Sequence, residues 1–168
     1  MKSIWIFAIA MLVTSLSDAA PTDDSGFKLL NFRAAPVGAS HSGGESYSIG
    51  LSWNPEHRLQ SHPEWSLGLN LGWIWFENQD ATNFHSFELQ PILGYRFIEM
   101  RIGVELGAGV QYWTEDRAGT YALLSGNVFY EFQQRVLKIM DRIFIGYSGY
   151  FLPKNFTHEI KIGVGLTF

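Results

Sequence analysis

Eight charged residues stand at positions that are otherwise small or polar: Arg33, Glu88, Arg96, Arg101, Glu105, Glu131, Glu159 and Lys161. Held inside a protein, such groups could relay protons or ions, or they could pair and fill the interior. Buried charges persist only when they are paired, and the equal numbers of both signs favour pairing. We therefore predict a structural charge network, in which Arg33 lies near Glu159 and Arg101 shares the network with Glu105.

Two other groups of residues could support chemistry. The segment 54–64 carries Glu56, His57, His62 and Glu64. These are ligand types for a divalent cation, but their spacing fits no helix face and Arg58 competes for the carboxylates. Ser40 and His41 pair a nucleophile with a base, yet they fall in the Gly-rich stretch 37–44, where both are expected to be solvated. We predict no catalytic, cofactor or metal site.

The elements that position these groups show one pattern. Apolar side chains alternate with Gly, Ser or polar side chains, as successive residues of a β-strand do when its two faces differ. The last segment shows it most clearly, with Ile160, Ile162 and Val164 on one face. The pattern predicts eight strands, at 27–36, 45–54, 65–76, 84–97, 100–112, 120–132, 141–151 and 158–168. It leaves a long connection at 54–64 and a two-residue turn at 98–99.

Aromatic residues fall at both ends of the apolar faces. One row contains Trp53, Trp65, Tyr95, Phe97 and Phe168, and the other contains Trp73, Trp75, Tyr112 and Trp113. Two such belts are typical of a barrel that spans a membrane. A soluble lipocalin-like barrel would place these bulky side chains in an interior too small to hold them. The sequence thus predicts an all-β, eight-stranded antiparallel up-and-down transmembrane β-barrel.

Composition and the chain start agree with this interpretation. The formal net charge is −4 and only 17% of the residues are charged, which excludes a nucleic-acid partner. Cys is absent, so thiol chemistry and disulfides are excluded. Lys2, the apolar run 4–16 and the small residues Ser17 and Ala19 have the pattern of a secretory signal. We predict a signal peptide at 1–19 and a barrel at 20–168.

The alternation, the two belts and the Phe-terminated closing strand resemble the OmpA/OmpX-type barrels over nearly the whole mature chain. The resemblance implies the outer membrane of a Gram-negative bacterium, with both termini in the periplasm. It also implies contact with lipopolysaccharide and phospholipid, and delivery to the barrel-assembly machinery through the C-terminal strand. No cofactor is implied, and we expect a monomer.

The stretch 107–112 resembles the outer-membrane lipid A deacylase family. That family carries a His-x-Ser-Asn motif on its penultimate strand, where this chain has 146–151 with Ser148 and no His. Ser148 therefore lacks the base that would activate it, and deacylase activity is not implied. The favoured function is a non-enzymatic envelope-structural or surface-interaction protein with a plugged lumen. The alternatives are a lipid A-modifying enzyme and a narrow pore.

Overall fold

The computed structural model describes residues 27–41, 45–78, 83–114, 118–151 and 156–168. The expected signal peptide lies outside these residues. The strands are β1 (Phe27–Lys28), β2 (Asn31–His41), β3 (Glu45–Trp53), β4 (Glu56–Leu59), β5 (His62–Asn78), β6 (Asn83–Phe97), β7 (Ile102–Trp113), β8 (Gly119–Val136), β9 (Met140–Phe151) and β10 (Phe156–Thr167). A 3-10 turn, Ile98–Met100, joins β6 to β7. Within the described ranges, no helix is long and apolar enough to cross a membrane.

Hydrogen bonds join the strands into one sheet in the order β1-β4-β5-β3-β2-β10-β9-β8-β7-β6, and β5 also pairs with β6. This last pairing closes the sheet on itself, so that the ladder has no open edge along the wall. Every pairing is antiparallel. β1 leads into β2, and β4 continues β3, which leaves eight wall strands. The predicted eight-stranded antiparallel barrel is confirmed.

The long connection expected at 54–64 is wrong, because β3 and β4 are one wall strand with a short interruption. Trp53 pairs with Leu71 and Glu56 pairs with Gly68, in one unbroken register along β5. The Asn54 N–H donates to the Asn31 carbonyl at 2.7 Å, and the Pro55 carbonyl accepts from the neighbouring strand at 3.1 Å. Pro55 removes one donor, but the bonds on either side hold the ladder. Only residues 60–61 form the turn.

The wall has an apolar outer face and a polar inner face. On β6, Phe87, Leu89 and Leu93 are 43–51% exposed on the outside, while Glu88 and Gln90 are buried inside. A soluble barrel has the reverse arrangement. A continuous apolar surface of this extent is unfavourable in water and favourable in lipid, so the outer face fits a membrane environment.

Strand β2 is not regular throughout. The pairing of β2 with β3 shifts between Ala35 and Gly38, where Pro36 lies, and the pairing of β10 with β2 shifts between Ile162 and Val164. Pro is tolerated inside a sheet at such bulges because it has no N–H to donate. The bulge therefore explains how β2 can carry a proline and still pair on both sides.

Candidate functional site

We call the end of the barrel that carries Lys28, the 60–61 turn and Thr167 the terminus end, and the opposite end the loop end. Near the terminus end the interior is organised around Arg142, whose side chain is 1% exposed. Its guanidinium lies 3.0 Å from Glu56, 3.3 Å from Glu105 and 3.2 Å from Glu131. Arg96 bonds to Glu56 and, through Nε at 3.1 Å, to Glu131. Two arginines and three carboxylates from five wall strands thus meet across the lumen.

Further ion pairs extend this terminus-end network: Arg33–Glu105 at 2.6 Å, Arg58–Glu131 at 3.0 Å and Lys28–Asp141 at 3.2 Å. Thr167 also donates its hydroxyl to Asp141 at 2.8 Å. The expected pairing of Arg33 with Glu159 is wrong. The register places Arg33 opposite Gly165, and Glu159 lies six residues earlier in β10, opposite Ser40. Arg33 reaches across the lumen to Glu105 on β7 instead.

A second network lies closer to the loop end and is built on Lys161. Its Nζ is 3.2 Å from Glu88 and 3.1 Å from Glu159. The hydroxyl groups of Ser48 and Tyr150 donate to Glu159. Side-chain amides complete the bonding of Glu88, from Asn70 at 3.1 Å and Gln111 at 3.2 Å. Every oxygen of both carboxylates is therefore bonded, as buried charges require.

Among the residues that the structure describes, the two networks together hold six cations and six carboxylates. The cations are Lys28, Arg33, Arg58, Arg96, Arg142 and Lys161, and the carboxylates are Glu56, Glu88, Glu105, Glu131, Asp141 and Glu159. A cavity of about 60 Å³ lies between the networks, bordered by Arg33, Asn70, Glu88 and Lys161. It has room for a few water molecules.

Beyond the second network, apolar side chains fill the loop end of the interior. This aromatic cap consists of Ile74, Phe76, Phe84, Trp113, Leu123 and Tyr150. Phe76 and Phe84 stack with centroids 4.6 Å apart, and the Trp113 ring lies 5.0 Å from Phe84 and 5.9 Å from Tyr150. Trp113 satisfies its indole N–H by donating to Gln111 at 2.6 Å.

No protein-family model matches the chain, and no curated protein sequence matches it. Solved structures do match. The N-terminal β-barrel domain of Pseudomonas aeruginosa OprF is similar with a TM-score of 0.51 and 13% identity, covering 84% of this chain and 99% of that one. The Yersinia pestis outer membrane protein Ail has a TM-score of 0.54 and 12% identity, covering 82% and 98%. Neisserial surface protein A has a TM-score of 0.52 and 15% identity, covering 86% of this chain and 98% of that one.

This chain has the fold of the small outer-membrane barrels. At 12–15% identity the likeness is one of fold. The closed sheet and the apolar outer wall of this chain agree with that fold.

The residues predicted to form the aromatic belts fall into two groups in this barrel. Trp65, Trp73, Phe97 and Tyr112 are 37–47% exposed on the outer wall, and Trp53, Trp75 and Tyr95 are partly exposed. Trp113 is wrong as a belt residue. It is 2% exposed inside the barrel, because it lies on the same strand face as Gln111 and the cap provides its apolar surroundings.

Phe168 and Arg101 also differ from expectation. Phe168 is 6% exposed, because its ring packs against Phe32 at 5.8 Å and its N–H donates to the Leu30 carbonyl. It therefore offers little surface to a lipid belt.

Arg101 precedes β7 and lies in the turn with φ 58°. It forms no ion pair with any residue that the structure describes, so it is not part of the terminus-end network.

Aromatic rings line the middle of the interior beside the arginines. Phe129 and Phe144 lie directly over Gly103 and Gly163 on the neighbouring strands, where an added Cβ would collide with the rings. The Arg142 guanidinium carbon is 4.8 Å from the Phe129 centroid. These contacts add cation–π attraction to the ion pairs. Glycine at both positions is thus required by close approach.

The possible nucleophiles have no catalytic arrangement among the described side chains. Ser86 is fully buried and bonds to Gln111, while its neighbour His85 stacks on Trp73 at the outside. Ser148 is buried opposite Glu159. His62 lies 3.3 Å from Glu64 at the surface, whereas Glu56 is inside the barrel. No group of three His, Asp or Glu in the described ranges could hold a metal ion. The side chains of Ser40 and His41 are outside the described set.

Proposed function

We propose that this protein is a non-enzymatic barrel of the bacterial outer membrane, with an envelope-structural or surface-interaction role and a lumen plugged by its own side chains. One observation carries the proposal. Twelve charged side chains pair across the interior in two networks, and the aromatic cap fills the loop end beyond them. An interior held in this way is suited to stability, because each of these charges already has a partner of opposite sign.

Comparison with a pore supports the plugged lumen. An open channel needs a continuous polar path wide enough for water and ions, and barrels of eight strands have room mainly for side chains. Here Arg142 and Lys161 each bridge carboxylates from different strands, and the aromatic cap closes the loop end beyond Lys161. A hydrated ion would have to break several buried ion pairs and then enter a hydrophobic region.

The absence of a nucleophile–base pair among the described side chains supports a non-enzymatic role. Ser86 faces the lumen and His85 faces outward, because adjacent strand residues point to opposite faces. Ser148 has Glu159 as its cross-strand neighbour rather than a histidine. A serine without a base is a weak nucleophile. The likeness to OprF, Ail and Neisserial surface protein A is consistent with a role that depends on the barrel itself.

We place both termini in the periplasm and the loop end at the cell surface. The turns at the terminus end are short, residues 60–61 and 98–101 among them, and short turns are typical of the periplasmic side. The outer wall would contact phospholipid and lipopolysaccharide, and the closing strand β10 would be recognised by the barrel-assembly machinery. The connections at the loop end would then carry any surface partner, since loops on rigid scaffolds commonly carry function.

Cysteine labelling on intact cells tests the location and the orientation. The chain has no native Cys, so the only thiol is the one introduced. We expect A118C, at the loop end, to react with a membrane-impermeant maleimide on intact cells. We expect S61C, in the turn at the terminus end, to react only after the outer membrane is permeabilised. Both positions are exposed, so accessibility within the fold is matched.

The reverse labelling pattern would invert the proposed orientation. Equal labelling of both variants on intact cells would contradict insertion of the barrel across the outer membrane.

A further inference from the structure

A pocket of about 270 Å³ opens at the terminus end, next to the turn between β6 and β7. Its walls differ in character. Arg58, Arg96, Arg101 and Glu131 form the polar side, while Phe97 and Ile98 form part of the apolar side. The pocket shares no lining residue with the 60 Å³ cavity or with the aromatic cap.

The polar side of this pocket has more cationic donors than acceptors. Glu131 is the single carboxylate, and it is shared by Arg58 at 3.0 Å, Arg96 at 3.1 Å and Arg142 at 3.2 Å. Arg101 forms no ion pair within the described part of the chain. Arg96 and Arg142 also pair with Glu56, so the positive charge that no described carboxylate neutralises at this site is that of Arg101.

Unpartnered nitrogen atoms point to the same deficit. Arg96 is 4% exposed, yet its Nη1 is buried without a hydrogen-bond partner among the described residues. The Nε of Arg58 is likewise buried without a hydrogen-bond partner among the described residues. Buried donors are nearly always bonded, and an exception calls for an explanation such as a bound ion or water. Both guanidinium groups in the pocket wall therefore retain a donor that no described residue uses.

The chemistry of the walls indicates the class of ligand. Guanidinium groups present planar forks of donors that match the oxygen atoms of phosphate. Phe97 and Ile98 are 42% and 62% exposed at the rim, and Phe97 belongs to the outer-wall row of aromatics that faces lipid. An anion held by the arginines would therefore lie beside an apolar surface, at the level where the membrane meets water.

We propose that this pocket binds a phosphate group, supplied either by the headgroup of a phospholipid in the adjacent leaflet or by free phosphate. Arg101 is the residue that supplies the unpaired charge. Its left-handed conformation and the hydrogen bond from its N–H to the Ile98 carbonyl at 3.3 Å hold the turn that carries it. Arg58 and Arg96 add their guanidinium groups to the same wall.

Calorimetric titration of the folded protein in octyl glucoside micelles, which contain no phosphate, tests the proposal. The probes are inorganic phosphate and dihexanoylphosphatidylglycerol, each added at constant ionic strength. The test variant is R101Q. The matched control is K138Q, because Lys138 is, like Arg101, a cation in a turn with positive φ (67°), but it is not part of the pocket. Heat-modifiable migration checks that each variant is folded, and R101K serves as a second, conservative variant.

We expect saturable binding of at least one probe, weakened about tenfold or more in R101Q through the loss of a charge-assisted contact and unchanged in K138Q. R101K should fall between the wild type and R101Q. Tighter binding of the lipid than of the ion would identify a headgroup as the source, and equal binding would identify free phosphate. The absence of saturable heat with both probes would overturn the proposal. An equal loss in R101Q and K138Q would also overturn it, since the binding would then reflect net charge alone.

Discussion

R142M is expected to lower the free energy of unfolding by about 3–5 kcal/mol, the cost of removing one partner from a buried ion pair. Arg142 contacts Glu56, Glu105 and Glu131 within 3.3 Å and is 1% exposed. Methionine keeps much of the stem but removes the charge. The three carboxylates would then share fewer cations in an interior from which water is largely excluded, and their repulsion would be weakly screened.

Urea unfolding in phospholipid vesicles, followed by tryptophan fluorescence, measures this effect. The matched control is R135M, since Arg135 is an exposed residue of β8 that donates to the Thr167 carbonyl at 3.3 Å and joins no ion pair within the described ranges. Its loss should change stability by about 0.5 kcal/mol or less, as is usual at the surface. Equal small effects in the two variants would mean that the terminus-end network contributes little to folding.

L106R is expected to cost about 2–4 kcal/mol, because it places a charge near the middle of the lipid-facing wall. Leu106 lies in the middle of β7 and is 66% exposed on the outer face. If the barrel were surrounded by water, an exposed position such as this would tolerate arginine. The predicted loss therefore depends on the membrane and not on packing within the protein.

L137R provides the control for this second prediction. Leu137 is more exposed, at 83%, but lies in the turn between β8 and β9. The same substitution there should cost only about 0–1 kcal/mol, as it does near the interface. The same vesicle-based unfolding measurement compares the two variants, and similar losses at both positions would argue against burial of the β7 wall in lipid.

Much of the fold could be predicted from the sequence because a strand in a membrane barrel has two unlike faces. Residues such as Leu89 and Glu88 reveal their faces by type alone, and the alternation continues along each strand. The predicted second strand, 45–54, ends too early for a local reason. Pro55 breaks the donor pattern and resembles the start of a loop, whereas the register with β5 carries the ladder past it. Glu56 and Arg58 were therefore not recognised as interior residues.

The interior was predicted less completely, because alternation assigns a face but not a partner. Arg142 is four residues before Gly146, so the alternation alone assigns it to the same inner face. Its contacts cannot be predicted in this way, because they depend on five strands meeting across the lumen. The aromatic cap was missed for a different reason. Phe84 and Trp113 occupy inner positions that the pattern expects to be polar, and only the packing at the loop end shows why apolar rings are accepted there.

We propose that the lumen is sealed by its own side chains, and planar-bilayer recording tests this seal most directly. The protein is first shown to be folded by a difference in migration between unheated and boiled samples, as expected of a closed barrel whose backbone groups are all paired. We predict that folded wild-type protein inserts without producing a stable conductance. A steady ohmic conductance of porin size from the wild-type protein would contradict the sealed lumen.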